Sequence, residues 1–132
     1  MTALGLRHVA LNVQSAQNSK AFYCSFFGMQ VEWEPDPKSV YLTSNSQDNL
    51  ALHESATPVE GSQNLDHIGF FYTTEAEVDA LYQKAVKAEL LIVAKPKKHR
   101  DGAYTFYFRD PNNIVVQVLC HPPLNQKQEA SK

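Results

Sequence analysis

The sequence predicts an α+β protein of two βαβββ modules that form a curved eight-stranded sheet around a cavity, and three observations predict it. "LRHVALNV" (residues 6–13) lies over "LDHIGFFY" (65–72) at an offset of 59, matching a leucine, a histidine, a β-branched residue and a small residue in register. An internal repeat of this kind means two copies of one supersecondary unit. Each copy alternates like a strand and runs into a helix signal, and three short extended runs follow each helix. A four-stranded sheet with one helix leaves its other face in need of cover, so two such halves side by side make a cavity along their seam.

The elements follow in order. After the first strand, Ser15 is suited to cap a helix that carries Phe22, Tyr23, Phe26 and Phe27, and Gly28 to end it. The runs "QVEWE", "SVYLTS" and "LALHES" complete the first module, residues 5–54. "SATPVEGSQN" (55–64) is a polar linker rich in Pro, Gly and Ser, too short to separate independent domains. In the second module, 65–121, Thr74 and Glu77 form a capping box ahead of Val78, Leu81, Tyr82, Ala85 and Val86 at helical spacing. "LLIVAK", "AYTFYF" and "IVVQVLC" are its remaining strands, and the tail 122–132 has no periodicity and is expected to be disordered. The whole chain, 1–132, reads as one domain.

Bulk composition narrows the function classes. With 43% hydrophobic residues the chain can bury a core without staples, and its net charge of -2 gives no general attraction to nucleic acid or anionic lipid. No apolar run approaches the roughly 20 residues that span a bilayer, and no signal-peptide pattern opens the chain. A cytoplasmic protein with no nucleic-acid or membrane partner is expected, with Cys24 and Cys120 reduced and acting as small hydrophobes.

The candidate site residues come from the repeat. His8 and His67 occupy equivalent places in the first strand of each half, so a pseudo-twofold would bring both imidazoles to one cavity. A lone strand histidine is usually a satisfied polar residue, but a repeat-related pair reads as metal ligands, since imidazole suits Zn, Fe, Ni and Cu. In "YFRDPNNIVVQVLCH" (107–121) the one polar interruption of the last strand is Gln117. "KPKKHR" (95–100) is the only dense basic run, read either as a solvated loop or as an anion clamp at the cavity mouth. Trp33, Tyr41 and Phe106 read as core, or else as stacking walls.

These residues resemble the vicinal oxygen chelate superfamily, which includes glyoxalase I, extradiol dioxygenases and bleomycin resistance proteins. The likeness rests on "LRHVALNV", "FYCSFFGMQVEW", "LDHIGF" and "YFRDPNNIVVQV", in that order, and covers roughly residues 5–121. It implies a glyoxalase-like fold, a homodimer, and a divalent metal (Fe, Zn, Ni or Mn) held by His8, His67 and Gln117, the last at the family's glutamate position. A neutral amide there gives up the charge attraction of a carboxylate and cannot act as a general base. The corresponding place in the first half falls on Ala51 or, with a different gap, on His53. His99 and Tyr107 stand where the extradiol enzymes have a histidine and a tyrosine, so Tyr107, His99 and His53 are the candidate catalytic groups. Two functions follow. One is a metal enzyme of lyase, isomerase or ring-cleaving dioxygenase type, chelating neighbouring oxygens of a small substrate. The other is a metal-free binding protein of the bleomycin-resistance kind.

Overall fold

A computed structural model of the chain describes residues 6–57 and 65–121. The expected tail and most of the linker lie outside the described residues. The chain divides into two compact units, Met1–Gly61 and Ser62–Lys132.

In the first unit β1 (His8–Val13) leads to α1 (Ala16–Phe27), then β2 (Gln30–Asp36), β3 (Ser39–Thr43) and β4 (Asn49–Glu54). The sheet order is β1-β4-β3-β2, with β1 parallel to β4 and the other pairs antiparallel. Helix α1 begins where Ser15 Oγ accepts the Asn18 N–H at 3.1 Å. It stops at Gly28, whose φ of 72° is the left-handed conformation a residue without Cβ adopts freely. Ala16, Ser19, Tyr23 and Phe26 recur every three or four residues and bury one stripe. That stripe lies on β3 and β4, whose Val40, Leu42, Leu50 and Leu52 form the core facing it.

The second unit repeats the plan with β5 (Ile68–Phe71), α2 (Glu75–Lys87), β6 (Ile92–Lys98), β7 (Tyr104–Arg109) and β8 (Val115–Cys120), in sheet order β5-β8-β7-β6. The eight expected strands are thus paired as two four-stranded sheets. The capping box is formed: Thr74 Oγ1 accepts from Glu77 N, while Glu77 Oε1 accepts from Thr74 N. Val78, Leu81 and Ala85 bury one face of α2 over Phe106, Phe108, Val116 and Val118, all fully buried; truncating either phenylalanine to alanine costs about 3–5 kcal/mol.

The β7–β8 hairpin explains the Asp-Pro-Asn-Asn turn. Asp110 Oδ1 accepts from the backbone of Asn112 and Ile114, and Asn113 takes a φ of 66°, a conformation asparagine tolerates better than other residues with a Cβ. This turn sets β8 against β7 so that Tyr107 faces Gln117. The edge strands β2 and β6 each carry two register shifts, and the second of each, between Trp33 and Asp36 and between Ala94 and Lys97, contains a proline, Pro35 or Pro96. Proline cannot donate to a ladder and is tolerated at such an edge, where it also discourages further strand pairing. The basic run therefore corrects a sequence expectation. It is not wholly a loop, because β6 continues through Lys98.

Candidate functional site

Each sheet has a helix face and a face without a helix, and strand alternation assigns the candidate residues to the latter. In the second unit Tyr104, Phe106 and Phe108 point to α2, where Tyr104 Oη donates to Asp79 Oδ1 at 2.6 Å. That bond, with lesser burial, pushes the Tyr104 phenol up to about 12. Thr105 and Tyr107 therefore stand on the opposite face, with Gln117 and Leu119 across from them.

Three positions form a row across this face: Tyr107 pairs with Gln117, and Gln117 with Gly69. Gln117 Nε2 donates to Tyr107 Oη at 2.9 Å. The phenol oxygen is the acceptor, so its own proton is free to point elsewhere. A Cβ at Gly69 would come within 3.2 Å of Leu119 Cδ2 and 3.3 Å of Gln117 Oε1. The amide thus occupies space that any side chain at 69 would contest. His67 meets the Tyr107 ring edge-on, with centroids 5.3 Å apart at 90°.

The tautomers of the two repeat-related histidines follow from their partners. His67 Nδ1 lies 2.6 Å from Asp66 Oδ1, and a carboxylate only accepts, so the neutral ring keeps its lone pair on Nε2. In the first unit Asn49 Nδ2 donates to Glu32 Oε2 at 3.1 Å, which turns Asn49 Oδ1 toward His8 Nδ1 at 2.8 Å. His8 too keeps its lone pair on Nε2. An imidazole whose Nδ1–H is anchored by an oxygen is in the form that ligates metal or takes up a proton through Nε2.

A cavity of about 630 Å³ opens on the same face of the second unit, with Thr105, Tyr107, Gln117 and Leu119 in its wall. The end of β6 supplies Lys97, the β6–β7 turn His99, Arg100 and Asp101, and the residue after β8 is His121. His99 is fixed by Nε2 to Thr105 Oγ1 at 2.9 Å and by its backbone N–H to Ala103 O at 2.8 Å. The Ala103 N–H on Asp101 Oδ1 holds the Asp101 carboxyl below the usual range; burial opposes this, and the nearby His121 and His99 add to it.

Sequence reasoning passed over His121, Asp66 and Asn49. The signal for His121 was available, since residues 117, 119 and 121 share one strand face by their period of two. No comparable pattern marks Asp66 or Asn49, whose roles depend on rotamers. In the first unit the register resolves an ambiguity. Ala10 pairs with Ala51 and Tyr41 with Ala51, as Gly69 pairs with Gln117 and Tyr107 with Gln117, so Ala51 is the counterpart of Gln117. His53 pairs with Asn12 and Ser39 and lies edge-on to Tyr41 with centroids 5.7 Å apart. Tyr41 also stacks on Trp33 at 5.2 Å. Trp33 is 58% exposed and is not core, whereas Phe106 is fully buried.

The donor chemistry bears on a metal directly. Within the second unit, His67 offers one imidazole nitrogen and Gln117 one neutral amide oxygen. Among the described residues no three His, Cys, Asp or Glu side chains cluster as a metal site. These residues of the second unit do not by themselves fit a dication, which draws its affinity from anionic or numerous donors.

Two βαβββ units of identical strand order, β1-β4-β3-β2 and β5-β8-β7-β6, define a class of α+β fold built on an internal repeat. The profile of the "Glyoxalase/Bleomycin resistance protein/Dioxygenase superfamily" matches residues 5–118, and the chain belongs to that superfamily. An uncharacterized protein of Pseudomonas aeruginosa is 28% identical, over 95% of this chain and 94% of its own. Among solved structures, a possible glyoxalase from Bacillus cereus matches with a TM-score of 0.75 and 25% identity, over 89% of this chain and all of its own. A lactoylglutathione lyase from Agrobacterium tumefaciens matches with a TM-score of 0.73 over 91% of this chain and 96% of its own; at 19% identity that likeness speaks for the fold alone. Among the described residues no helix is long and apolar enough to cross a membrane.

Proposed function

We propose that the second-unit cavity is a small-molecule site and that the chain works as a metal-independent binding protein of the bleomycin-resistance kind. The observation that carries this reading is the Gln117–Tyr107 hydrogen bond. Where the superfamily likeness implies an acidic ligand, this chain has an amide whose Nε2 is already engaged. Its partner is a tyrosine with a proton to spare. The pair offers a ligand one phenol donor beside the flat Tyr107 ring, a combination suited to a planar molecule carrying an oxygen acceptor. The test is saturable binding of planar probes to protein stripped of metal by chelation. Binding that needs added metal would refute the reading.

A second reading is favoured by a separate observation, the shared tautomer of His8 and His67. It is a metal-dependent lyase, isomerase or ring-cleaving dioxygenase, with His8, His67 and Gln117 as ligands and Tyr107, His99 and His53 as candidate catalytic groups. A bound dication would supply charge stabilisation to neighbouring substrate oxygens. Metal analysis of protein purified without chelators decides between the two. Stoichiometric metal that is lost in both His8→Ala and His67→Ala supports the enzyme.

A further inference from the structure

We infer that the second-unit cavity selects a flat, neutral ligand with a carbonyl acceptor and an N–H donor side by side on one edge, as in a lactam, the carbonyl accepting from the Tyr107 hydroxyl and the N–H donating to Gln117 Oε1. The inference rests on the cavity being a small-molecule site and adds the chemical class of what fills it.

Two observations carry it. The first is the direction of hydrogen bonding in the Gln117–Tyr107 pair. Gln117 Nε2 donates to Tyr107 Oη at 2.9 Å, which leaves two groups of opposite character: the phenol has a proton to give, and Oε1 has lone pairs to fill. Neither has another partner among the described residues. Oε1 is also open to solvent, since the one side-chain polar atom among the described residues that is both buried and unpaired is His121 Nδ1. A donor and an acceptor, linked through one amide, thus stand next to each other in the wall of one cavity.

The second observation is Gly69. Positive φ among the described glycines is confined to Gly28 and Gly102, so the backbone at 69 does not call for glycine. What it provides is space. A Cβ there would stand 3.3 Å from Gln117 Oε1 and 3.2 Å from Leu119 Cδ2, filling the place beside the acceptor that a ligand N–H needs. The absent side chain keeps Oε1 bare.

Other ligand chemistries answer half of this pair. A carboxylate takes the phenol's proton but sets a second lone pair against Oε1. A ketone or ester fills Tyr107 and covers Oε1 without a donor, and a site built to bond an N–H rejects the analogue that lacks it. A cation would answer Oε1 and meet the phenol's proton with repulsion. A cyclic amide satisfies both groups, and its flat ring suits the apolar Leu119 in the same wall.

The experiment titrates 2-quinolone, its N-methyl analogue and indole into ¹⁵N-labelled full-length protein stripped of metal by chelation. Binding is read from amide shifts of residues 103–107 and 117–121. 2-Quinolone has both groups, the N-methyl analogue only the acceptor, and indole only the donor; the first should bind at least about fivefold more tightly than either of the others. Gln117→Met should erase the preference over the N-methyl analogue, and Tyr107→Phe the preference over indole. Gly69→Ala, which crowds Oε1, should diminish the first of these preferences. Lys87→Ala, on the exposed end of α2, should change nothing. Equal binding of 2-quinolone and its N-methyl analogue would overturn the inference and leave the cavity reading intact. So would a preference that survives Gln117→Met, since it would then reflect only the bulk of the methyl group, or one that is undiminished in Gly69→Ala. Failure of every probe to shift the cavity amides would overturn both readings. Spectra with dispersed peaks for each variant establish that it folds.

Discussion

Removing the Tyr107 hydroxyl tests the row on which the site reading stands. Tyr107→Phe keeps the ring against which His67 packs and deletes only the acceptor of the Gln117 bond, 2.9 Å long between residues directly opposite on neighbouring strands. A net hydrogen bond contributes about 0.5–1.5 kcal/mol, and a wholly buried donor left unpaired costs about 1–3. Both side chains are only half-buried, so water can reach the freed amide and the loss should be about 1 kcal/mol. Gln117→Met, which keeps the length without the amide, should lose a similar amount. Urea denaturation of the parent, both single variants and the double variant closes a cycle whose coupling energy should be about 0.5–1.5 kcal/mol. Additivity within about 0.3 kcal/mol, the ordinary agreement for independent sites, would mean that the bond does not organise this face.

Three further outcomes follow from the same geometry. Gly69→Ala should be near neutral for stability, because about 0.5–1 kcal/mol gained from replacing a strand glycine offsets the shift forced on Leu119 and Gln117; it should nonetheless weaken probe binding, and unchanged cavity amide shifts would contradict the crowding argument. Gln117→Glu should raise divalent-metal affinity by at least about tenfold if position 117 is a ligand, and calorimetry showing equal or weaker binding would remove it from the ligand set. For Tyr104 the folded-state phenol is raised to about 12 by Asp79, so the bond's stabilisation is complete below the ordinary tyrosine range near 10 and is lost as pH climbs through about 12. Absorbance titration at about 295 nm should show one tyrosinate moving toward the ordinary value in Asp79→Asn, and an unchanged curve would refute the assignment.

Much of the architecture was legible in the sequence because the signals were local or periodic. The repeat of histidine-bearing strands, the Ser15 and Thr74 caps, the Gly28 stop and the Asp110 turn each depend on a few neighbouring residues and on short-range stereochemistry. Period-two alternation likewise fixed that Tyr107 and Thr105 share a face opposite Phe106. The superfamily was readable for the same reason, since its motifs are these local signals in order.

Only the tertiary structure decided the rest. Ladder register, which no single strand encodes, chose Ala51 over His53 as the counterpart of Gln117. Long-range pairing turned the "KPKK" segment from loop into an edge strand whose Lys97 lines a cavity while Lys98 bridges to α2. Exposure of Trp33 and isolation of His121 Nδ1 depend on what does or does not pack against them from distant parts of the chain. Hydrogen-bond direction decided most about function. Gln117 reads from sequence as a carboxylate replaced by an amide. Its bond to Tyr107 across the sheet, which exists only once β7 and β8 are in register, gives it a role a carboxylate would fill differently: as a donor it leaves the phenol's proton free for a ligand.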